Sequence, residues 1–521
     1  MTDAPVFSVV TPVYEPPLDA LRDMIDSVRA QSFGDWELIL VDDFSPSEDV
    51  RRELHRQAAM DPRIHVIERS KNGRIVAASN DGLRAARGEF VVLVDHDDLV
   101  TPDALANMHE VLAADPEIDY AYSDEDKVDP DGMHYDLFEK PDWSPERLRA
   151  QMYTSHLSVL RTSIVREVGG FHEGYDGSQD HDLVLRVTEK GRKVAHVPEV
   201  LYHWRVVPGS AAGDVDAKPY AWTAGRRAVQ AHMDRLGLRS EVTFGVTQGT
   251  FAIRRFLDPG VFVSVVVPTR GSCGYIWGER RCFVVELVRS LLEHTNHELL
   301  EVVVVYDTAT PPEVLVELRE VAGDKLVLTE YAAEFNFSDK CNTGYLASRG
   351  DVVVMLNDDM HIASDEFIEQ LVAPLEEPDV GMTGARLLFP DSTIQHAGHA
   401  YYDSHLRHAF LGTPTEDVGY LGVLGVNREV SGLTAACVAL RREVFEEVGG
   451  FCEMLPVNFN DVDLSLKVRA AGYRNVWLAA VTAFHFESRT RIPVVHAWEA
   501  ERIYDRWDVA GQDPFLPEFA E

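Results

Sequence analysis

The stretch Phe7-Ser-Val-Val-Thr-Pro12, with its repeat Val263-Ser-Val-Val-Val-Pro268, decides how this chain of 521 residues is organised. Both stretches are short apolar runs rich in β-branched residues, which is typical of a strand that helices cover on both faces. A run that returns in the second half of a chain indicates a duplicated domain. We therefore predict that each stretch is the first strand of one of two copies.

Further landmarks follow both opening strands in the same order, and their spacing changes only where one copy carries an insertion. The matched pairs are Asn80-Asp-Gly-Leu83 with Asn342-Thr-Gly-Tyr345, Arg87-Gly-Glu-Phe90 with Arg349-Gly-Asp-Val352, Asp95-His-Asp97 with Asn357-Asp-Asp359, Gly169-Gly-Phe171 with Gly449-Gly-Phe451, Asp180-His-Asp-Leu183 with Asp461-Val-Asp-Leu464, and His203 with His485. Chance does not supply so many collinear pairs, so the whole chain is predicted to be a tandem repeat.

The boundary between the copies is expected just before the second opening strand, where Asp258-Pro-Gly260 is a turn signal. Single cores seldom grow beyond about 250 to 300 residues, which fits two domains in a chain of this length. We predict an N-terminal domain at residues 1–255 and a C-terminal domain at residues 256–521. The latter would end in a helical tail that includes Trp498 to Trp507.

The second copy carries the largest insertion, between Asp359 and Gly449. This insertion contains Ile394-Gln-His-Ala-Gly-His399 and a glycine-rich stretch from Gly419 to Gly425. A smaller addition, Gly271 to Cys282, follows the second opening strand. The copies are therefore expected to share a scaffold and to differ beside it.

Strands alternate with amphipathic helices in both copies. Leu18, Leu21, Ile25 and Val28 are spaced for one face of a helix, and the second copy repeats that pattern from Val284 to Leu292. Such alternation predicts an α/β fold for each copy, with a Rossmann-like, mostly parallel sheet between helices. Ligands of these sheets bind beyond the carboxyl ends of the strands. The polar clusters stand at predicted strand ends, namely Asp42-Asp43, Asp95-His-Asp-Asp98 and Asn357-Asp-Asp359.

Carboxylates are concentrated in Asp95-His-Asp-Asp98. Three acids in four residues are costly unless an exposed turn or a cation compensates, and the recurrence of Asp359 at the matched position favours a cation. Mg²⁺ or Mn²⁺, held by one or two carboxylates and by substrate phosphates, is the natural occupant. Neither opening strand is followed by a GxxxxGK[ST] or GxGxxG phosphate cradle. The pattern therefore favours a nucleoside diphosphate leaving group whose growing charge a divalent cation neutralises.

Together these motifs resemble family 2 glycosyltransferases of the GT-A fold, and the resemblance covers almost the whole chain. The family's T-P-x-[YR] appears as Thr11-Pro-Val-Tyr14, with Thr269-Arg270 after Pro268 in the second copy, and its V-D-D-x-S as Val41-Asp-Asp-Phe-Ser45. Its D-x-D appears as Asp95-His-Asp97 and as Leu356-Asn-Asp-Asp359, and its [ED]-D-x-D-L as Gln179-Asp-His-Asp-Leu183 and Asn460-Asp-Val-Asp-Leu464. The segment from Trp498 to Trp507 is similar to the end of bacterial O-antigen and rhamnan-type polysaccharide transferases.

The resemblance implies a role for each motif. Asp180 and Asp461 would be general bases that take the proton of an acceptor hydroxyl as it attacks the anomeric carbon, an inverting displacement. Metal ligands would be Asp97 and His203 in the first copy, and Asp359 and His485 in the second. Donor-binding residues would be Pro12, Tyr14, Asp42, Asp43, Asn80, Asp95 and Arg205 in the first copy, and Thr269, Asp307, Asn342, Asn357 and Arg489 in the second.

Structural roles are the alternative for the proposed bases and histidines. Asp180 and Asp461 stand where helices are predicted to begin, and carboxylates at that position also serve as caps. A histidine among aromatic residues, such as His203 or His485, is often a packed or hydrogen-bonded core residue.

The second copy departs from the family pattern at two positions of the donor site. Tyr306-Asp307 replaces the pair Asp42-Asp43, and Asn357 replaces the first acid of D-x-D. A different donor or a weakened site is therefore expected in this copy. Two hypotheses follow. Either both copies are hexosyl-type transferases that extend a bacterial surface glycan, or one active transferase is fused to a silent glycan-binding or scaffold domain, with the second copy as the silent one.

The charge balance restricts the partners. With 49 basic and 86 acidic residues the net charge is -37, which repels nucleic acid and anionic membranes. The start lacks a signal peptide, and no apolar run reaches the roughly 18 residues of a membrane span. We expect a cytoplasmic protein with at most peripheral contact at the inner face of the cell membrane. Its partners would be a UDP- or dTDP-linked sugar donor and a glycan or lipid-linked oligosaccharide acceptor, and no nucleic acid.

Overall fold

The computed structural model describes residues 4–206, 219–402, 405–486, 495–509 and 511–516. The chain divides into two compact units. The first unit comprises Met1–Trp143, Leu148–Gly237 and Val242–Phe244, and the second comprises Ser144–Arg147, Leu238–Glu241 and Gly245–Glu521. Each unit contains one of the two opening strands. The boundary between residues 255 and 256 stays a prediction.

The first unit is a sheet with helices packed against it. Its strands are β1 (Phe7–Val13), β2 (Trp36–Asp42), β3 (Ile64–Glu68), β4 (Phe90–Leu93), β5 (Leu99–Val100), β6 (Ile118–Val128), β7 (His134–Phe138), β8 (Ser158–Arg161) and β9 (Lys193–Arg205). Helices of this part of the chain are α1 (Leu18–Arg29), α2 (Glu48–Met60), α3 (Arg74–Ala85), α4 (Ala104–Ala114), α5 (Pro145–Ala150), α6 (Thr162–Glu167), α7 (Gln179–Lys190) and α8 (Pro219–Arg235). A ribbon of β10 (Ser240–Phe244) and β11 (Phe251–Arg255) follows in the sequence.

The strand order of the first sheet is β3-β2-β1-β4-β8-β6-β9-β5, with β7 beside β6. The first four strands of this order are parallel, as the alternation of strands and helices predicts. Beyond β4 the sheet is mixed, because β8 runs antiparallel between β4 and β6. The polar residues that follow β2 and β4 therefore lie at one edge of the parallel half.

The second unit repeats this plan and adds to it. Its strands are β12 (Val263–Thr269), β13 (Cys273–Ile276), β14 (Glu279–Cys282), β15 (Leu300–Asp307), β16 (Leu326–Tyr331), β17 (Val352–Leu356), β18 (Met360–Ile362), β19 (Val380–Leu388), β20 (Ile394–His396), β21 (His399–Tyr402), β22 (His405–His408), β23 (Arg428–Glu429), β24 (Cys437–Arg441) and β25 (Arg474–His485). Its helices are α9 (Phe283–Glu293), α10 (Pro312–Ala322), α11 (Phe337–Ala347), α12 (Phe367–Val372), α13 (Arg442–Glu447), α14 (Asn460–Ala470) and α15 (Ala497–Arg506).

The two main sheets have the same strand order. In the second unit it is β16-β15-β12-β17-β24-β19-β25-β18, which matches the first order position by position. The predicted insertion of the second copy supplies β20, which pairs with β19, and the separate hairpin of β21 and β22. The addition after the second opening strand forms the hairpin of β13 and β14. The scaffold is thus duplicated, and the extra strands belong to the second unit.

Both opening strands are buried on the two faces of their sheets. Val9 of β1 and Val265 of β12 are essentially inaccessible to solvent. The predicted face of α1 is confirmed, because Leu21, Ile25 and Val28 are buried in the first core. Burial of such side chains contributes about 1.5 to 3 kcal/mol each to the stability of the unit.

A buried polar network ties β1 to β2 in both units. Ser8 Oγ donates to Glu37 Oε1 at 2.6 Å, and the amide of Gly88 donates to Ser8 Oγ at 2.8 Å. In the second unit Ser264 Oγ donates to Glu301 Oε1 at 2.6 Å. Arg87 and its counterpart Arg349 complete the networks as ion pairs with the two glutamates. This pattern fixes the start of the parallel half without touching its functional edge.

The described ranges contain no helix with the length and apolar character that crossing a bilayer requires.

Candidate active sites

The acidic turn of the first unit lies between β4 and β5. Its last acid, Asp98, accepts hydrogen bonds at both carboxylate oxygens. Tyr202 Oη donates to Asp98 Oδ2 at 2.5 Å, and the Arg205 amide donates to Asp98 Oδ1 at 2.8 Å. Burial, followed by the charge of Asp95, raises the pKa of Asp98 to about 8. Burial also raises the pKa of Asp97. Crowded, desolvated carboxylates of this kind are stabilised in their charged form when a cation binds.

The histidine predicted as a metal ligand, His203, is oriented by a carboxylate. His203 Nδ1 lies 2.6 Å from Asp126 Oδ1, and the antiparallel pairing of β5 with β9 places His203 opposite Leu99, two residues after Asp97. A histidine whose Nδ1 donates to a carboxylate keeps a lone pair on Nε2, which is the arrangement of metal-bound histidines. Metal binding by His203 stays a prediction.

The second unit has an equivalent arrangement with a different partner. His485 Nδ1 lies 2.7 Å from Gln395 Oε1, and His485 Nε2 lies 3.1 Å from Asp359 Oδ1. Asn357 Nδ2 is 3.4 Å from the same Nε2, and Asn357 Oδ1 is buried with no hydrogen-bond partner among the described residues. The structure thus brings together Asn357, Asp359 and His485, as predicted.

These donor sets fit a divalent cation. The second unit offers a carboxylate oxygen, an amide oxygen without a partner and an imidazole nitrogen within one cluster. Such oxygen-rich sets suit Mg²⁺ or Mn²⁺, which also bind substrate phosphates. In the first unit Asp95 and Asp97 precede β5, whose Leu99 pairs with His203.

Asp180, the predicted base of the first unit, lies in the first turn of α7. The N-cap residue is Ser178, and Gln179 Nε2 donates to Asp180 Oδ2 at 2.8 Å. Burial, followed by the negative charge of Asp95, raises the pKa of Asp180 to about 6. The charge of Asp95 in the acidic turn thus acts on Asp180, and the raised pKa is typical of a carboxylate that exchanges protons near neutral pH.

Asp461, the predicted base of the second unit, lies in the first turn of α14. Asp461 Oδ1 accepts from the Val462 amide at 2.9 Å, and Asp461 Oδ2 accepts a longer bond from the Ala435 amide at 3.4 Å. The first contact satisfies an amide of the first turn, although the N-cap residue is Phe459 and makes no side-chain capping bond. The structure thus gives Asp461 a partial role in the start of its helix, a role that Asp180 does not share in the described contacts.

The two units differ at the predicted nucleotide site. In the first, the Ser45 amide donates to Asp42 Oδ1 at 3.0 Å, the Gly73 amide donates to Asp43 Oδ1 at 2.9 Å, and Arg69 forms an ion pair with Asp43. The pairing of β1 with β2 and of β12 with β15 puts Tyr306 in the position of Asp42.

In the second unit a lysine contacts the acid of the predicted nucleotide site. Lys340 Nζ lies 2.7 Å from Asp307 Oδ1 and donates to the Thr269 carbonyl at 2.8 Å. Thr269 Oγ1 in turn donates to Asp358 Oδ2 at 2.6 Å. Burial and the charge of Asp359 raise the pKa of Asp358 to about 7.

Asn80 and Asn342, predicted as donor-binding residues, make the same structural contacts in both units. Asn80 Nδ2 donates to the Phe171 carbonyl at 2.8 Å, and its Oδ1 accepts from the Phe171 amide at 2.9 Å. Asn342 makes the same pair of bonds with Phe451, both at 3.0 Å. The Gly-Gly turns before Phe171 and Phe451 have positive φ, and these amides hold them in place. Donor binding by the asparagines stays a prediction.

The remaining predicted donor residues are scattered. Pro12 accepts a hydrogen bond from His96 through its carbonyl oxygen, at 3.1 Å from Nδ1, and Tyr14 is exposed. The Arg205 guanidinium contacts Asp23 at 3.0 Å, and its Nε is buried without a partner in the described part of the chain. Arg489 lies outside the described residues.

Sequence reasoning missed several residues around the sites. Asp126 and Gln395, which orient the two histidines, stand in stretches whose signals are an acidic run at the end of β6 and the inserted segment. His156 stacks on Tyr202 with ring centroids 4.6 Å apart. Burial lowers the pKa of His156, but its bond to Glu125 and nearby acids outweigh burial and raise the pKa to about 9. This imidazolium is a cation beside the acidic turn that no motif predicts.

A cavity of about 520 Å³ opens beside the second site. Its walls combine residues of the parallel half with residues of the insertion. They include Thr269, Asn357, Asp359, Gln395, His399, His408, Asp461 and His485. The cavity is thus large enough for a sugar and is bordered by the predicted base and metal ligands.

Comparisons with known proteins match this description. The model of the family described as Glycosyl transferase family 2 matches residues 8–169 and 264–449. The chain is 39% identical over 498 residues to the "Uncharacterized protein y4gI" of Sinorhizobium fredii, covering 94% of this chain and 54% of that protein. It is 35% identical over 517 residues to the "O-antigen biosynthesis protein RfbC" of Myxococcus xanthus, covering 98% and 40%.

The chain therefore spans about half the length, or less, of these two relatives. Among solved structures, residues 1–349 of TarS from S. aureus in complex with UDP-GlcNAc match with a TM-score of 0.37 and 17% identity, covering 44% of this chain and 66% of that chain.

Proposed function

The chain belongs to glycosyl transferase family 2, and from this premise we propose that each of its two units is an active, inverting, metal-dependent transferase. The observation that carries the proposal is the oriented histidine that recurs in both units. In each unit an acceptor oxygen holds Nδ1, and in the second unit Nε2 faces Asp359, which would hold the same cation. The functional domains are those that the sequence predicts, residues 1–255 and 256–521.

The metal site of each unit would be formed by its oriented histidine and second D-x-D acid, His203 with Asp97 and His485 with Asp359. The cation, Mg²⁺ or Mn²⁺, would neutralise the charge that develops on the departing nucleoside diphosphate. Arg205 and the imidazolium of His156 add positive charge at the first site. The diphosphate leaves as an anion and needs no proton from an acid.

The base of each unit acts on the acceptor. Asp180 or Asp461 takes the proton of an acceptor hydroxyl while that oxygen forms a bond to the anomeric carbon. The bond between this carbon and the diphosphate oxygen breaks on the opposite face, so the anomeric configuration inverts. The pKa of Asp180, raised to about 6, suits a base that must accept a proton and then release it near neutral pH.

The substrates follow from the resemblance and from the relatives. The donor would be a UDP- or dTDP-linked hexose, and the acceptor a growing bacterial surface glycan or a lipid-linked oligosaccharide. A relative described as an O-antigen biosynthesis protein matches 98% of the chain, which supports polysaccharide synthesis. The reaction would take place in the cytoplasm, with at most peripheral contact at the membrane.

A second candidate function has one specific observation in its favour. Tyr306 stands where the first unit has Asp42, and Lys340 pairs with Asp307, which favours a second unit that binds glycan without catalysis. Against this, Asp359, His485 and Asp461 line one cavity, and a binding module does not require a base. We therefore favour two working sites.

The test is release of nucleoside diphosphate by the purified chain. A panel of UDP- and dTDP-hexoses would be incubated with Mn²⁺, with Mg²⁺ or with excess chelator. We expect release from at least one donor, abolition by the chelator and recovery when the divalent ion returns. Full activity in excess chelator would contradict the metal-dependent mechanism, and no release from any donor would contradict the transferase assignment.

A further inference from the structure

The inserted strand β21 carries a polar group that has no partner in the described structure. His399 Nδ1 is buried and makes no hydrogen bond, and the same holds for the hydroxyl of Tyr401, two residues along the same strand. Alternate residues of a strand lie on one face, so the side chains of His399 and Tyr401 point to the same side of β21. Leaving a buried polar group without a partner costs about 1 to 3 kcal/mol, and a bound ligand can remove that cost.

The unpartnered groups lie close to the proposed base. His399 and Asp461 both line the cavity of the second unit, and the charge of Asp461 acts on both His399 and Tyr401. Backbone contacts connect His399 to Asp461. The His399 amide donates to the Gly432 carbonyl at 2.7 Å, and the amide of Ala435, three residues after Gly432, contacts Asp461. The insertion is therefore fixed relative to the base.

Gly432 makes this approach possible. A Cβ atom at this position would lie 2.3 Å from the Tyr401 hydroxyl and 3.0 Å from His399 Nδ1. Such contacts are too short, so a side chain here would push the inserted strand away. The close packing of the insertion against the loop before Asp461 depends on a glycine at this position.

A metal ion is the first alternative occupant, because His396, His399 and His408 have candidate ligand atoms within 4.8 Å of one another. The contacts of His396 argue against it. The Thr434 amide donates to His396 Nε2 at 3.2 Å, so the proton of the neutral ring is on Nδ1, which lies 2.9 Å from His408 Nδ1. A metal ligand needs a lone pair where this ring carries its proton. His396 and His408 are thus held by hydrogen bonds.

We propose that the inserted hairpin is the acceptor-recognition element of the second site, and that His399 hydrogen-bonds a hydroxyl of the acceptor sugar next to Asp461. Thr269, Asn357 and Asp359 of the proposed donor site line the same cavity as His399 of the insertion. The first unit has β7 beside β6 but no strand equivalent to β21 among its described residues. The two sites would therefore select different acceptors. This inference rests on the proposed transferase function.

The experiment separates acceptor recognition from the rest of the reaction. The full chain would carry Asp180→Asn to silence the first site, and p-nitrophenyl glycosides would serve as acceptors. For each variant, the rate of transfer to the glycoside is divided by the rate of donor hydrolysis without glycoside. We expect His399→Gln to lower this ratio about tenfold, the value of one hydrogen bond of roughly 1.4 kcal/mol. The matched control is His405→Gln, an exposed histidine of the same hairpin, which should leave the ratio unchanged.

A deoxy acceptor sharpens the test. With a glycoside that lacks the recognised hydroxyl, the chain that keeps His399 should show the same decrease in the ratio of transfer to hydrolysis. His399→Gln should cause no further decrease with this glycoside. A ratio that stays constant in His399→Gln, or a hydrolysing chain that extends no glycoside of the panel, would overturn the proposal. Loss of donor hydrolysis in the Asp180→Asn chain itself would instead count against the proposed activity of the second unit.

Discussion

The two units have the same strand order and the same buried serine and glutamate network, yet the residues around their matched histidines and acids differ. The first unit orients its histidine with a carboxylate, Asp126, and crowds three acids into one turn. The second uses the neutral amide of Gln395 and has Asn357 in place of one acid. A duplicated scaffold thus holds the geometry constant while charge and acceptor side vary. This difference suggests two sites with related chemistry and distinct substrates.

The largest expected effect tests whether both units need their metal acid. Asp97→Asn would be made in a chain with Asp461→Asn, and Asp359→Asn in a chain with Asp180→Asn. The activity measured in each chain then comes from one unit. Because a bound cation contributes several kcal/mol to the transition state, we expect release of nucleoside diphosphate to fall about 1,000-fold in each. If only Asp97→Asn lowered the release, the two units would not share a metal requirement, because the second unit would then work without the metal.

The next effect concerns the groups that orient the histidines. Loss of such a partner typically weakens metal binding by about 10- to 100-fold. Asp126→Asn gives the first unit the neutral acceptor of the second, so the Mn²⁺ concentration for half-maximal activity should rise toward that range. Gln395→Glu makes the reverse exchange and should lower it in the second unit. Unchanged Mn²⁺ dependence in both variants would remove these residues from the metal site.

A smaller effect is expected from pH in the first unit. The base must be deprotonated to accept a proton, and burial with the charge of Asp95 raises the pKa of Asp180 to about 6. In the Asp461→Asn chain, kcat/KM should therefore fall about tenfold per pH unit below roughly pH 6 and level off above it. The profile is measured as nucleoside diphosphate release at saturating Mn²⁺. A flat profile down to about pH 5 would exclude Asp180 as the base.

The smallest effect should be the same in both units. Ser8→Ala and Ser264→Ala each remove a buried hydroxyl that donates to a glutamate and accepts from backbone amides. We expect each to lower the free energy of unfolding of its unit by about 1 to 3 kcal/mol, without changing metal dependence. Urea denaturation followed by fluorescence measures this loss. A loss in one unit alone would show that the shared network does not stabilise both copies equally.

Much of the fold could be predicted because it depends on local patterns. The runs Phe7–Pro12 and Val263–Pro268 are apolar and β-branched, and β1 and β12 form there, each ending one residue later. The antiparallel position of β8 could not be predicted, because strand direction in a sheet is set by packing between distant segments. The same holds for Asn80, whose motif resembles a donor contact while its amide holds a turn at Phe171.

The site could be predicted only in part. Acids at strand ends and histidines at matched positions carry a signal in the sequence, and the structure brings Asp359 and His485 within 3.1 Å. The partners behind the histidines share no common motif, because Asp126 and Gln395 come from different strands in the two units. Contacts of this kind arise from the fold and do not recur as a motif.

The central claim, two independent working sites, is tested most directly by the lengths of the products. Wild-type chain, Asp180→Asn and Asp461→Asn would each extend the same acceptor, and mass spectrometry would count the added sugars. Each substitution removes the basic oxygen at one site and should slow proton transfer there by about 100- to 10,000-fold. If the two sites work on alternating steps, each single variant adds at most one sugar and stops, while the wild type continues. Normal polymer from both variants would contradict the account.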